Sequence, residues 1–250
     1  MLTMIDFTIT KTRQRLIHQF KGRYGAVPLK IVIVTYNRLA YLQKCIASIH
    51  GSTTIPYEII VVDDGSTDGT IEWLLQQRKR RKVTALILNN RFGTAQCFNM
   101  GIIAANSQWT IIANDDMYFH RWWDFAGLYV LNTEVDAATL TIYDYTNHSG
   151  IIQVKKEYDQ VTGTGLGAAF VRTKSWEEAG QFKIKEGKKM GFFAGTFCGK
   201  VHKWATHKQH FITRPNWVHH MDLPTSKLSE RDVLESYIVY RKKEKKGATG

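Results

Sequence analysis

The 250-residue chain is 44% hydrophobic, enough to bury one sizeable core, and it carries a formal net charge of +12. Its three cysteines, Cys45, Cys97 and Cys198, are spaced too widely and irregularly for a disulfide framework or a zinc site, and suggest a reducing compartment. No apolar run approaches the ~18 residues of a membrane span, and MLTMIDFTITKTRQRLIHQF lacks the apolar stretch and cleavage site of a signal peptide, so a soluble cytoplasmic protein is expected.

Residues 1–28 read as an N-terminal helical extension. LKIVIVTY (29–36) is then a short, β-branched apolar run, the pattern of a strand buried on both faces. In NRLAYLQKCIASIHGS, Leu39, Leu42, Ile46 and Ile49 recur at spacings of three and four, which predicts an amphipathic helix ending near Gly51. YEIIVVDDGSTDGT repeats the design: a strand over 57–62, then acids and a Gly/Ser turn, with Thr67 and Asp68 as caps for the helix of IEWLLQQ. RKRRK (78–82) closes that helix with cations that suit its C-terminal dipole. A third strand is expected over 83–90, a helix over 92–106 and a fourth strand in QWTIIANDD.

This alternation predicts an α/β fold with a Rossmann-like, mostly parallel central sheet flanked by helices. In such sheets ligands gather beyond the C-terminal strand ends, and TYNR, DDGS, NNRFG and NDD all fall there. Past residue 117, HRWWDFAGLYVL suggests a helix, DAATLTIYDY a strand, and GTGLGAAFVRTKSW a glycine-rich loop entering another strand. Gly163, Gly165 and Gly167 lack the βαβ setting of a dinucleotide fingerprint and read as a close backbone passage. The chain divides into a first half (29–118), a smaller second half (119–225), and a C-terminal helix with a basic tail (226–250).

Adjacent carboxylates at a sheet rim, as in Asp63–Asp64 and Asp115–Asp116, serve a divalent metal, a shared proton or a solvated turn. With phosphate and water completing the shell, one or two carboxylates describe a Mg²⁺ or Mn²⁺ site for a nucleoside diphosphate.

The succession VTYNR, VVDDGSTDGT, NNRFGTAQCFNMGI and ANDDM resembles the nucleotide-binding half of family 2 glycosyltransferases of the GT-A fold, closely over residues 29–118 and loosely to about 220. The resemblance implies an inverting transferase that uses a nucleotide-sugar, UDP-linked by family habit, with 29–118 as the nucleotide-sugar-binding half and 119–225 as the acceptor and catalytic half. It assigns Thr35, Tyr36, Asn37 and Asp63 to the base and ribose. Arg38, Asp64, Arg91, Gly93 and Asn114 join them around the donor, and Asp115 lies near the ribose. Asp116 is the implied metal ligand, with His219 or His220 of PNWVHHMDLPTS approaching the same Mn²⁺ or Mg²⁺; alternation along a strand lets only one of the two face the crevice. The family's acidic pair for the catalytic base is missing from FFAGTFCGKVHKWA, which leaves Glu186 as the candidate, with Asp222 and Asp144 in reserve.

Charge is uneven along the chain. Residues 1–150 hold 15 Lys and Arg against 12 Asp and Glu, and residues 151–250 hold 19 against 10. Within 183–214, Lys185, Lys188, Lys189, Lys200 and Lys203 alternate with Phe192, Phe193, Phe197, Trp204 and Phe211. That mixture suits a phosphate-bearing polymer, so the acceptor is expected to be a glycan or envelope polymer, or hydroxymethylated DNA of the kind modified by virus-encoded systems. A catalytically inactive nucleotide-sugar binder and a basic nucleic-acid-binding protein are the alternatives.

Overall fold

A computed structural model describes residues 2–25, 29–142, 151–154, 158–163, 165–183, 193–213 and 217–221. The first half follows the expected alternation: β1 (Leu29–Thr35), α2 (Leu39–Ser52), β2 (Tyr57–Asp63), α3 (Thr70–Lys79), β3 (Thr84–Ile87), α4 (Thr94–Ala105) and β4 (Trp109–Asn114), preceded by α1 (Leu2–Tyr24). β3 is shorter than 83–90: its last ladder bond runs from the Leu88 amide to the Asp63 carbonyl (3.0 Å), at the residue where β2 itself ends.

The remaining elements are β5 (Met117–Phe119), α5 (Trp123–Thr133), β6 (Ala137–Thr141), β7 (Ile151–Val154), β8 (Tyr158–Val161), β9 (Ala168–Arg172), α6 (Thr173–Glu178), α7 (Phe193–Trp204), β10 (Gln209–Thr213) and β11 (Val218–His220). The main sheet runs β3-β2-β1-β4-β9-β6-β10-β8-β7. Its first four strands are parallel, whereas β9 enters antiparallel between β4 and β6. β5 and β11 form a separate antiparallel ribbon, with His220 opposite Met117.

Successive strand residues point to opposite faces, so β1, β2 and β4 feed two cores. Ile31, Ile33, Ile59, Val61 and Ile111 join the layer of α1, α2, α3 and α5. Val32, Val34, Ile60, Val62 and Ile112 join the layer of α4, α6 and α7. Gly101 lets α4 settle onto β1, since a Cβ there would collide with the Val32 side chain. Asp124, buried in the first turn of α5, accepts from the Thr54 amide (2.6 Å), the Thr54 hydroxyl (2.7 Å) and the Ile55 amide (3.2 Å), and so ties α5 to the loop between α2 and β2. With β1 and β4 adjacent and parallel, their polar ends reach the same rim.

Candidate active site

The rim is organised by bonds between loops far apart in sequence. Asn37, held at φ 51°, accepts from the Thr67 amide at 2.6 Å, and its own amide donates to Ser66 Oγ at 2.8 Å. Asp68 accepts from Thr70 at the start of α3 with one carboxylate oxygen (Oγ1, 2.6 Å) and from the Leu39 amide at the start of α2 with the other (3.1 Å). Asp68 therefore caps two helices, while Thr67 faces Asn37 instead of capping. Ser66 and Asp68 were not expected to link the two loops. Their signal is the Ser and Asp content of DGSTDG, since such side chains bond readily to nearby backbone.

Asp63 Oδ1 accepts from the amides of Gly65 (3.2 Å) and Ser66 (2.9 Å), whereas its buried Oδ2 has no hydrogen-bond partner among the described residues. Asp64 accepts from the amides of Phe92 (2.7 Å) and Gly93 (3.1 Å), and Arg91 Nε lies 3.8 Å from it. The Arg91 guanidinium also stacks 3.8 Å from the centre of the Tyr36 ring, a cation–π contact across the first and third strand ends.

Beyond β4, Thr35 Oγ1 donates to Asp115 Oδ2 at 2.8 Å. Arg38 Nη1 lies 3.3 Å from Asp115 Oδ1 and 3.1 Å from Asp116 Oδ2, so one guanidinium spans both acids. Burial, with the Asp116 charge adding to it, pushes the Asp115 carboxyl up to about 6 against the pull of Thr35 and Arg38. Burial acts on Asp116 in the same direction, but His220 and Arg38 together outweigh it and hold that carboxyl below its ordinary value. The thiols behind the rim are raised as well: Cys45 by burial and then by Asp115 and Asp116, Cys97 to about 12 by burial and then by Asp64. Both stay protonated and unreactive.

The two β11 histidines separate. His220 Nδ1 lies 3.5 Å from Asp116 Oδ1, at the outer limit of a hydrogen bond, while His219 is buried and packs edge-on against His120 with ring centres 4.9 Å apart. Burial, with His219 beside it, lowers His120 to about 4, so this ring stays neutral.

Asp116 and His220 supply a hard oxygen and an imidazole nitrogen, and among the described residues buried Asp116 Oδ1 has no closer polar partner than that long His220 contact. Among the described residues no cluster of three or more His, Cys, Asp or Glu forms a closed metal cage. An open carboxylate–imidazole pair fits Mn²⁺ or Mg²⁺ sharing its shell with phosphate oxygens and water.

The structure thus gathers Thr35, Tyr36, Asn37, Arg38, Asp63, Asp64, Arg91, Gly93, Asp115, Asp116 and His220 along one rim. Asn114 is the last β4 residue, its amide donating to the Gly167 carbonyl at 2.8 Å. Glu186, Lys185, Lys188, Lys189, Asp144 and Asp222 lie outside the described residues.

Lys200, Lys203 and Trp204 do not join the crevice. α7 ends at Trp204, and Gln209 then opens β10 beside Ala137, the first residue of β6, at the N-terminal end of the parallel strands. Lys203 covers the Trp204 ring at 4.7 Å there, near the end of the sheet opposite to the one that carries Asp116. Phe197 and Phe211 are fully buried core residues and offer no surface to stack on.

Among the described residues no helix is long and apolar enough to cross a membrane. The chain is 32% identical over 127 residues to the glycosyltransferase GlyG of Streptococcus pneumoniae, covering 49% of this chain and 41% of GlyG. It is 30% identical over 98 residues to an N-acetylglucosaminyl-diphospho-decaprenol L-rhamnosyltransferase of Mycobacterium tuberculosis, covering 36% of this chain and 32% of that protein. The chain thus spans well under half the length of these curated relatives.

Its fold matches that of Staphylococcus aureus TarS residues 1–349 with a TM-score of 0.61 at 17% identity, over 86% of this chain and 65% of the other. TarS has also been solved with UDP-GlcNAc, matched at the same TM-score with 15% identity over 86% of this chain and 66% of the other. GalNAc-T7 solved with UDP, GalNAc and Mn²⁺ matches with a TM-score of 0.62 at 15% identity, over 78% of this chain and 44% of the other. The fold is therefore that of GT-A glycosyltransferases. The family model for glycosyl transferase family 2 matches residues 30–203, most of the chain, and the chain belongs to that family.

Proposed function

We propose that this protein is a metal-dependent, inverting glycosyltransferase that moves a sugar from a UDP-sugar to a hydroxyl acceptor. The observation that carries this reading is the connected set Thr35–Asp115–Arg38–Asp116–His220 at the ends of β1, β4 and β11. Support for the donor comes from the UDP-GlcNAc and UDP with Mn²⁺ held by proteins of the same fold.

Asp63 Oδ2, buried without a partner among the described residues, accepts a hydrogen bond from the nucleotide, and the Tyr36–Arg91 stack walls the same pocket. Asp115 is held by Thr35 for the ribose. Arg38 offers positive charge to the diphosphate, whose negative charge grows as the sugar leaves. Asp116 and His220 would hold Mn²⁺ or Mg²⁺, which supplies Lewis-acid help to that leaving group. The acceptor hydroxyl must lose a proton to a base. Glu186 is the proposed base, with Asp222 and Asp144 as the other carboxylates to test.

For the acceptor, a saccharide is favoured over hydroxymethylated DNA. The tuberculosis relative is named for a saccharide-diphospho-polyprenol. Two of the aromatic rings that recommended a polyanion, Phe197 and Phe211, are buried, and Trp204 lies away from the crevice. The test is nucleoside diphosphate release from UDP-, GDP- and dTDP-sugars with Mn²⁺, with and without saccharide or hydroxymethylpyrimidine DNA acceptors. Release from a UDP-sugar stimulated by a saccharide is the expected result. Stimulation by the modified DNA alone would reverse the acceptor assignment. Nucleotide binding without release from any donor would make the protein an inactive binder.

A further inference from the structure

At the other end of the sheet, the starts of β2 and β3 and the ends of α2 and α3 enclose a cleft of about 620 Å³. Arg78, Arg81 and Lys82 line it, with His50 and Tyr57 joined by a 2.6 Å hydrogen bond. Its one acid, Glu58, is paired with Lys30. Neither Arg78, Arg81 nor Lys82 has a carboxylate partner among the described residues. Burial and then the Lys82 charge lower His50, as an uncompensated positive field should.

The backbone gives a second observation. α3 closes with the Lys82 amide donating to the Gln77 carbonyl (3.0 Å) and the Arg81 amide to the Arg78 carbonyl (2.9 Å), and Arg81 sits at φ 54°. That left-handed position after a helix favours glycine, and an arginine there is strained. Closing the helix calls for no side chain at residue 81, yet Arg81 lines the cleft.

We propose that this cleft binds a phosphate-bearing anion, at a site separate from the donor crevice. The seven residues of β2 separate Tyr57 from Asp63, roughly 20 Å at the usual rise per strand residue. Three cations without a carboxylate partner among the described residues, and a Tyr57–His50 hydrogen-bonding pair, suit the several acceptor oxygens of a phosphate group. The group belongs either to a soluble phosphate compound or to an anionic lipid headgroup. This inference does not depend on the donor reading.

The test measures pyrophosphate binding by calorimetry with EDTA present, and binding to phosphatidylglycerol–phosphatidylcholine vesicles against phosphatidylcholine alone. The variants are R78A/R81A/K82A and a charge-matched control, R15A/K21A/K208A, at exposed positions away from the cleft. The cleft variant should lose about tenfold or more in affinity, and the control less than twofold. Saturation by pyrophosphate alone identifies a soluble phosphate, and retention on phosphatidylglycerol vesicles identifies a headgroup. Arg81→Gly should raise the melting temperature while weakening binding, which a purely structural arginine would not do. Equal loss in the control, or no binding of either probe by the unmodified protein, would overturn the proposal.

Discussion

The two ends of the central sheet carry opposite electrostatics on the same strands. Where β1, β2 and β4 end, Asp63, Asp64, Asp115 and Asp116 meet Arg38, Arg91 and His220, and most of these charges are paired. Where β2 and β3 begin, Arg78, Arg81 and Lys82 line a cleft whose one acid is engaged elsewhere. The first end is a network in which each carboxylate is oriented by a partner. The second is a set of cations with no carboxylate partner among the described residues. Parallel strands make this division possible, because every loop after a strand lands on one rim and every loop before a strand on the other.

The comparison breaks most sharply at Asp116. Asp116→Ala should cut sugar transfer by about 10²–10³-fold or more while leaving pyrophosphate binding at the opposite end unchanged. Equal loss at both ends, read by turnover and calorimetry, would mean that the variant disturbs the fold.

A smaller effect concerns acidity. An Asp has an ordinary value of about 3.9, and Asp115 in the folded chain is raised to about 6. The native state therefore keeps this proton after the unfolded state has released it. Stability present below about pH 4 is lost as pH rises through about 6, by about 2–3 kcal/mol for this group. Asp115→Asn should then stabilise the protein by about 2 kcal/mol at pH 8 and by little at pH 4, as urea unfolding at the two pH values would show. A gain of the same size at both would mean that Asp115 is not raised.

Thr35→Val removes the hydroxyl that donates to buried Asp115 and should cost about 1.5–3 kcal/mol, measured by the same unfolding experiment. The smallest expected change belongs to Trp204, 62% exposed at the end of α7. Trp204→Ala should alter stability by less than about 0.5 kcal/mol and leave UDP affinity unaltered. A large loss of UDP affinity would place α7 at the donor site after all.

Much of this division was legible in the sequence. Apolar runs ending in TYNR, DDGS and NDD mark strands and the rim to which their ends point, because a strand buried on both faces stays mostly apolar until it leaves the sheet. The pairing of Thr35 with Asp115, 80 residues away, was not legible, since no local spacing encodes which strands become neighbours. The antiparallel entry of β9 is likewise fixed by long-range pairing with β4 and β6. In the described part of 183–214, the lysine–aromatic pattern does not mark a single surface, for a different reason. Phe197 and Val201, four residues apart, share the buried face of α7, while Lys203 and Trp204 lie on its exposed side. Charges and rings interleaved along a chain need not share a face of its helix. The role of RKRRK beyond closing a helix depended on what β2 and α2 bring beside it.

The measurement that bears most directly on the account is calorimetric titration of UDP into the protein with and without Mn²⁺, repeated with Asp116→Ala. The account predicts binding that Mn²⁺ strengthens in the unmodified protein and that no longer responds to Mn²⁺ in the variant. Binding indifferent to Mn²⁺, or equally strengthened in Asp116→Ala, would contradict a diphosphate–metal site at the end of β4.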